Sequence, residues 1–421
     1  MTEQRVRGTL RAAAALLAAS ALISGCGVLP GGTGGSPGPV VVMTWAPVGT
    51  NGTNMDGMLA MAQVYEKYAN DRGGLGGRKL KVLTCNEHDT IIGVRTCAQE
   101  ANDAGAVAVV GSYSEQGADF VSALETYDIP YIGGYGITQD EFQSIESYPI
   151  NGGLPALLAG NGRQLADLCS RVTLVRPDTT TGDQFPSFID DGLRAGGSSD
   201  AKDLRTPDTA TEYTATAEQA VGRNKSSDCV SAVLGDHTST FFDSLRHVGD
   251  KPAKVRVSSV LGSVTQSLVD STGGANSPLE NAYVTGWYPP SSDPQWNGMK
   301  AAVAKYAFGD DRIDVDDPGP QTTWIAYTVL DEVISAIKGK SSLSRLVLEK
   351  AMDHTTNLST GGLTPPLGWT DQDLHGIVPG YSRLVNTKVT YQQVRNGRLV
   401  AARPGFIDLN ATLTRNSRSG G

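Results

Sequence analysis

The stretch "AVAVVGSYS", residues 106–114, runs apolar for five residues, then breaks at Gly111 into three hydroxyl-bearing side chains, Ser112, Tyr113 and Ser114. Polar and apolar residues do not alternate in it, so it reads as a strand buried on both faces. A helical pattern precedes it over 90–103 and another follows over 117–127. A second apolar run, "DIPYIGG" (128–134), comes next. Continuous apolar strands separated by helices indicate a parallel sheet with helices on both faces, an α/β fold. Ligands of such sheets bind outside the carboxyl ends of the strands. Ser112, Tyr113 and Ser114 are therefore candidate ligand contacts, as are Tyr135, Gly136 and Thr138 after the next strand.

The same alternation extends in both directions. Upstream, a strand from Val40 to Trp45 is bounded by Pro47 and Gly49, and its loop carries Asn51, a further candidate. Residues 54–70 carry a helical stripe at Met55, Met58, Leu59, Met61, Ala62 and Tyr65, with Asn54 as the expected N-cap. Gly73 and Gly74 supply a left-handed helix end before the strand "KLKVLTC" (79–85). Downstream a second series begins near Leu154. Helices are expected over 155–170, 184–195, 212–222, 241–248 and 265–271. Strands are expected at "RVTLV" (171–175), "DCVSAVLG" (228–235), "AKVRVSSV" (253–260) and "NAYVTGWYPP" (281–290). Helices over 297–306, 322–338 and 344–352 follow, then a hairpin turning at Asn396-Gly397.

The N-terminus does not belong to this pattern. Arg5, Arg7 and Arg11 precede a short apolar run over 12–23. That run is shorter than the roughly 20 residues a membrane-spanning helix needs and has the flanks of a signal peptide. Leu22 to Cys26, "LISGC", resembles a bacterial lipobox, which makes Cys26 the expected lipidation site. A Gly- and Pro-rich tether follows to residue 39. The expected location is the outer face of a bacterial plasma membrane, with the protein held there by lipid. Composition is globular, at 39% hydrophobic and 19% charged residues. With a net charge of −9 and no dense basic patch, nucleic acid is not an expected partner.

Four cysteines remain: Cys85, Cys97, Cys169 and Cys229. An even number in an exported chain points to two disulfides. No C-x-x-C pair occurs, which argues against zinc. Three pairings are possible; short-range closure favours Cys85–Cys97 and Cys169–Cys229.

Taken together, the residues resemble the type I periplasmic binding proteins of ABC transporters, the group that includes leucine/isoleucine/valine- and amide-binding proteins. The resemblance is carried by "NDRGGLGGRKLKV" (70–82), "AVAVVGSYS" (106–114), "DIPYIGGYG" (128–136) and the helix "TTWIAYTVLDEVISAIKG" (322–339), in that order along the chain. It implies two Rossmann-like lobes joined by three crossing segments. Residues 40–153 and 289–345 would form lobe I, 154–288 and 346–408 lobe II, and 409–421 a disordered tail. It also implies a disulfide near the second strand of the first lobe, where Cys85 and Cys97 stand.

By the same resemblance, the ligand is a small polar molecule, amino-acid-like or an amide, passed to an ABC permease by a monomeric receptor. In lobe II, Thr181 stands where many relatives have a tyrosine. Asp236 and His237 follow the next strand, and Trp287 and Tyr288 lie at an expected crossing, for ligand stacking or hinge packing alike. The loop "LGSVT" (261–265) lacks the acid that amino-acid binders often carry there. Nucleophile, zinc-protease, Walker and dinucleotide motifs are all missing from the sequence, so no enzyme, cofactor or metal is expected. The acidic run "DDRIDVDDPG" (310–319) lacks EF-hand order and reads as a solvated loop. A sensory module presenting ligand to a membrane kinase fits the sequence equally.

Overall fold

The computed structural model describes residues 38–414, apart from residues 51, 208–209, 224, 250–253 and 338–342. The expected signal peptide, Cys26, nearly all of the tether, Asn51 and the last seven residues lie outside the described residues.

Five strands form the first sheet: β1 (Val40–Ala46), β2 (Leu80–Asn86), β3 (Ala108–Val110), β4 (Tyr131–Ile132) and β5 (Ser147–Tyr148). All pair in parallel, in the order β2-β1-β3-β4-β5. Three helices alternate with the first four of these strands: α1 (Asp56–Asp71), α2 (Ile91–Asp103) and α3 (Gly117–Tyr127). The period of two along β1 sorts its side chains to two cores. Met43 and Trp45 pack with Val94, Cys97 and Phe120 of α2 and α3. Val40, Val42 and Ala46 pack in the cluster that holds Met58, Met61 and Tyr65 of α1.

After β5 the chain crosses to α4 (Gly153–Ala166), which packs on the second sheet. That half holds β6 (Arg171–Pro177), α5 (Phe185–Ala195), β7 (Lys202–Thr206), α6 (Thr214–Val221), β8 (Asp228–Ala232), α7 (Thr238–Arg246), β9 (Arg256–Val260), α8 (Gln266–Ser271) and β10 (Tyr283–Gly286). A second crossing returns to the first half for α9 (Asn297–Tyr306), α10 (Pro318–Ala336) and α11 (Arg345–Asp353). A third leads to β11 (Lys388–Arg395), β12 (Arg398–Ala401), β13 (Ile407–Asp408) and α12 (Asn410–Leu413). The second sheet runs β12-β11-β10-β9-β8-β6-β7, with β13 on β11. Its strands β6 to β10 are parallel, and β11 is antiparallel to β10 and β12. Asn396 and Gly397 take φ of 51° and 71°, the left-handed pair that closes this hairpin.

Two glycines at strand ends set how closely α10 approaches the first sheet. Gly111 and Gly133 have φ of +59° and +64°. A Cβ on Gly133 would lie 2.4 Å from Ala326 Cβ, and one on Gly111 would lie 2.8 Å from Thr323 Cα. The N-terminal half of α10 thus runs against bare backbone at the carboxyl ends of β3 and β4. Both disulfides pair as expected: Cys85–Cys97 ties β2 to α2, and Cys169–Cys229 ties the start of β6 to β8.

Several expectations are corrected. Asn54 does not cap α1: its amide closes the preceding loop on Thr50, and Met55 holds the cap position without a side-chain bond. Residues from 346 do not all join the second half. Helix α11 packs on α10, and Arg345 donates to the carbonyls of Ala106 and Tyr127. The tail is folded at its start, since α12 buries Leu409 and Leu413. Strands β5 and β7 went unread. The first is two residues long, and the second is a charged edge strand, KDLRT, with no apolar period.

Candidate functional site

The carboxyl ends of the two parallel sheets carry the loops that face each other. One of them is the loop after β4, residues 133–138. Its Tyr135 hydroxyl reaches Gly262 in the loop after β9: a Cβ on Gly262 would be 2.9 Å from that oxygen. This approach, together with the hydrogen bond that Ser267 Oγ of α8 donates to Asp314, marks the cleft between the two halves.

The loop is held rigidly by backbone contacts. Tyr135 N donates to Ser112 O at 3.0 Å, and Asn151 Nδ2 donates to Tyr135 O at 3.1 Å. Glu141, buried on the short turn that follows, collects the remaining donors. Its Oε2 accepts from Gly136 N at 3.1 Å. Its Oε1 accepts from Ile137 N at 3.1 Å, Thr138 N at 3.0 Å and Thr138 Oγ1 at 3.0 Å. Burial pushes the Glu141 carboxyl up to about 7, against the pull of these donors.

Tyr135 itself is 5% exposed. Its ring meets Tyr113 edge-on at 5.3 Å and Trp287 edge-on at 5.4 Å. Tyr288 continues the row, 6.2 Å from Trp287. Burial lifts the Tyr135 hydroxyl well above its usual range, and the carboxylates of Asp317 and Asp236 add to the effect. Asp317 is the N-cap of α10, with Pro318 at the first helical position, and its Oδ1 accepts from Gly319 N at 2.7 Å. Desolvation pushes the Asp317 carboxyl up to about 7, with Asp314, Asp236 and Asp56 adding to it.

The expected contacts divide into three groups. Tyr113, Tyr135, Trp287 and Tyr288 come together in one row of rings, while Asp236, exposed on its loop, acts on Tyr135 through its charge alone. A second group is committed to structure. Ser112 Oγ accepts from Trp45 N, Ser114 Oγ accepts from Gln116 N ahead of α3, and Gly136 and Thr138 bind Glu141. The same holds for the polar ends of two members of the row. Trp287 Nε1 donates to Gly153 O, and the Tyr288 hydroxyl bonds Asn151 and Thr322, so both serve the crossing segments. Thr181 and His237 form the third group. Both are exposed, and no hydrogen bond or ring contact among the described residues links them to Tyr135.

Three important residues escaped the sequence reading. Asp317 was placed in a solvated loop, although the Asp-Pro pair before an apolar run is a helix-start signal. Glu141 follows a local signal, the Thr-x-x-Glu spacing of 138–141, whereas Asn151 carries none, because its side-chain partner lies 137 residues away. Nothing in this arrangement forms a nucleophile–base pair. Among the described residues no group of three or more His, Cys, Asp or Glu is placed to hold a metal ion. No helix among them is long and apolar enough to cross a membrane. The chemistry available is that of binding, by a row of aromatic rings on loops at the strand ends.

Comparison with known proteins agrees with this. The profile of a family described as periplasmic binding protein matches residues 42–388. An extracellular ligand-binding receptor from Verminephrobacter eiseniae superposes with a TM-score of 0.70 at 13% identity, over 86% of this chain and 99% of that one. A fatty acid ABC transporter substrate-binding protein from Thermomonospora curvata superposes at 0.68 with 14% identity, over 89% and 93% of the two chains. A leucine binding protein from Thermotoga maritima superposes at 0.65 with 13% identity, over 88% and 99%. At these identities the likeness carries the fold. No curated protein matches the sequence.

Proposed function

The chain belongs to the periplasmic binding protein family, a family of solute receptors and not of enzymes, and from that premise we propose that it captures a small polar solute between its two halves and delivers it to an ABC importer. The observation that supports this most directly is the meeting of Tyr135 and Gly262 across the cleft. Loops from both sheets end there, and the connection between sheets is confined to three crossing segments. A ligand bridging the two faces favours the closed arrangement by its differential affinity for it. The proposed ligand class is amino-acid-like or amide. A melting-temperature screen with amino acids, amides, short peptides, sugars and nucleosides tests the reading. A true ligand at about 100 times its Kd adds about 2.7 kcal/mol of stability by mass action. Steady chemical conversion of a hit, with no stable complex, would overturn the receptor reading.

The same reading includes an anchor. A lipid on Cys26 would hold the receptor at the membrane beside its permease, with the Gly/Pro-rich segment as a flexible leash. Fractionation of the native producing cell tests this. The wild type is expected with the membrane and carrying added lipid mass, and Cys26→Ala is expected in the soluble fraction. An unmodified wild type in the soluble fraction removes the anchor from the proposal.

A further inference from the structure

The stretch "VPGY", residues 378–381, dictates a turn. Proline fixes the first central position of a type II turn, and glycine supplies the positive φ of the second. Gly380 takes φ of +81°, and Tyr381 N donates to Val378 O at 3.0 Å, which closes the turn. The first half holds it in place. Gly380 O accepts from Gln143 Nε2 at 3.0 Å, and Arg383 N donates to Phe142 O at 2.8 Å. Arg383 Nε donates to Ser147 O at 2.6 Å. Residues 378–383 thus form a strap fixed to the segment that runs from β4 into β5.

The Tyr381 side chain reaches away from these anchors. Its hydroxyl donates to Gln184 Oε1 at 3.1 Å, and its ring meets Phe188 edge-on at 5.9 Å. Gln184 ends the loop after β6 and Phe188 lies on α5, both in the second half. The same ring lies 5.4 Å from Phe142 of the first half. Phe142 in turn packs under the loop that carries Tyr135: a Cβ on Gly136 would be 3.3 Å from its ring. Tyr381, 2% exposed, therefore stands between the bases of two cleft loops, one from each half. A cavity of about 380 Å³ lies beside it, lined by Gln139 of the first half and by Gln184, Ser187 and Phe188 of the second. The two halves leave a gap there, and the Tyr381 side chain spans it.

We propose that Tyr381 is a positioning residue for ligand capture: anchored to the first half by its strap, it latches the second half through Gln184 and favours the closed arrangement before ligand arrives. This rests on the receptor reading and adds a control to it. Opening breaks the Tyr381–Gln184 bond and parts the Phe188 contact, while the strap keeps its bonds to the first half. A larger closed population raises the apparent affinity for whatever solute the cleft takes, in proportion to that population.

The experiment measures distances in the ligand-free full chain by pulsed electron resonance. Nitroxides are attached at Ile92→Cys and Thr240→Cys, exposed positions near the starts of α2 and α7, one in each half. Cys26→Ala keeps other thiols out of the labelling, since the remaining four cysteines are paired. The wild type is expected to show a short and a long distance. Tyr381→Phe and Gln184→Leu are each expected to lower the ratio of short to long about fivefold, the loss of one hydrogen bond. Their double variant is expected to shift no further than either single one, because all three remove the same bond. Tyr381→Phe keeps the ring contacts with Phe142 and Phe188, so it retains its fold. Tyr127→Phe removes a tyrosine–glutamine bond inside the first half and is expected to leave the ratio unchanged. An unchanged ratio in the Tyr381 and Gln184 variants overturns the latch. So does an equal shift in Tyr127→Phe, a double variant that shifts by the product of the single effects, or a wild type held entirely at the long distance. The solute screen tests the receptor reading apart from this: a hit there with an unmoved ratio leaves the receptor standing without its latch.

Discussion

Removing the Cys169–Cys229 bridge by a double alanine substitution is expected to lower the unfolding free energy by about 4 kcal/mol. The bridge closes a loop of 60 residues, from the start of β6 through α5, β7 and α6 to β8. Without it the unfolded chain regains the freedom of that loop, and the native sheet gains nothing in exchange. Both cysteines are also buried in the core beside Leu165 and Val172, so the alanines leave a small cavity. The Cys85–Cys97 bridge closes only 12 residues, and its removal should cost about 3 kcal/mol. Urea unfolding of both double variants measures the two losses. A larger loss at the short loop than at the long one would refute the loop-closure account. Reduction of the wild type with dithiothreitol, which leaves the sulfurs in place, should cost less than the sum of the two by the cavity term.

The elements legible in the sequence were those whose signal is local. Helix α3 starts and ends where Gly117 and Tyr127 place it, because Phe120 and Leu124 keep one face apolar and Asp128 ends it in the left-handed region. Strand β8 reads as apolar because both of its faces are buried. The hairpin is announced by Asn396-Gly397 alone.

The site was less legible because residue type does not reveal what a side chain is spent on. Ser112 and Ser114 look like ligand hydroxyls, yet the fold uses one to satisfy Trp45 N and the other to satisfy Gln116 N. Tyr135 looks no different from Tyr288, but only Tyr288 is met by Asn151 and Thr322 from two other elements. Asp317 reads as one acid among five in a surface run. Its burial comes from the approach of α1, where Met55 and Gly57 meet the first turn of α10. Such facts belong to long-range packing, and a periodicity argument does not reach them. The order of motifs did reach the architecture, since order along the chain is what a doubly wound sheet conserves in space.

Glu141→Ala is expected to cost about 3–5 kcal/mol and to abolish ligand capture. Four donors converge on its carboxylate, three of them backbone amides of the loop that carries Tyr135. Alanine leaves those amides without an acceptor, and a buried orphan donor costs about 1–3 kcal/mol. The loop cannot simply relax, because Gly136 sits at φ +87° against Asn151, and Gly134 lies against the Tyr131 ring. Glu141→Gln keeps one carbonyl oxygen but turns an amide toward a donor, so its cost should fall between wild type and alanine.

The pH dependence separates the charge from the contacts. Native Glu141 holds its proton up to about 7, whereas an unfolded glutamate releases it near 4.5. Between those values the native state binds more protons than the unfolded chain. The stability that protonation contributes is complete below about pH 4.5 and is lost as pH rises through 7. The Gln variant removes this slope. The difference in stability between wild type and Glu141→Gln should therefore change with pH across 5 to 8, with the wild type losing ground as pH rises. A difference that stays constant across that range would mean that the carboxylate is ionised throughout and that its hydrogen bonds outweigh its burial. An unchanged melting temperature in Glu141→Ala would mean that the loop stands without it. In that case the position of Tyr135 in the cleft would owe nothing to this carboxylate.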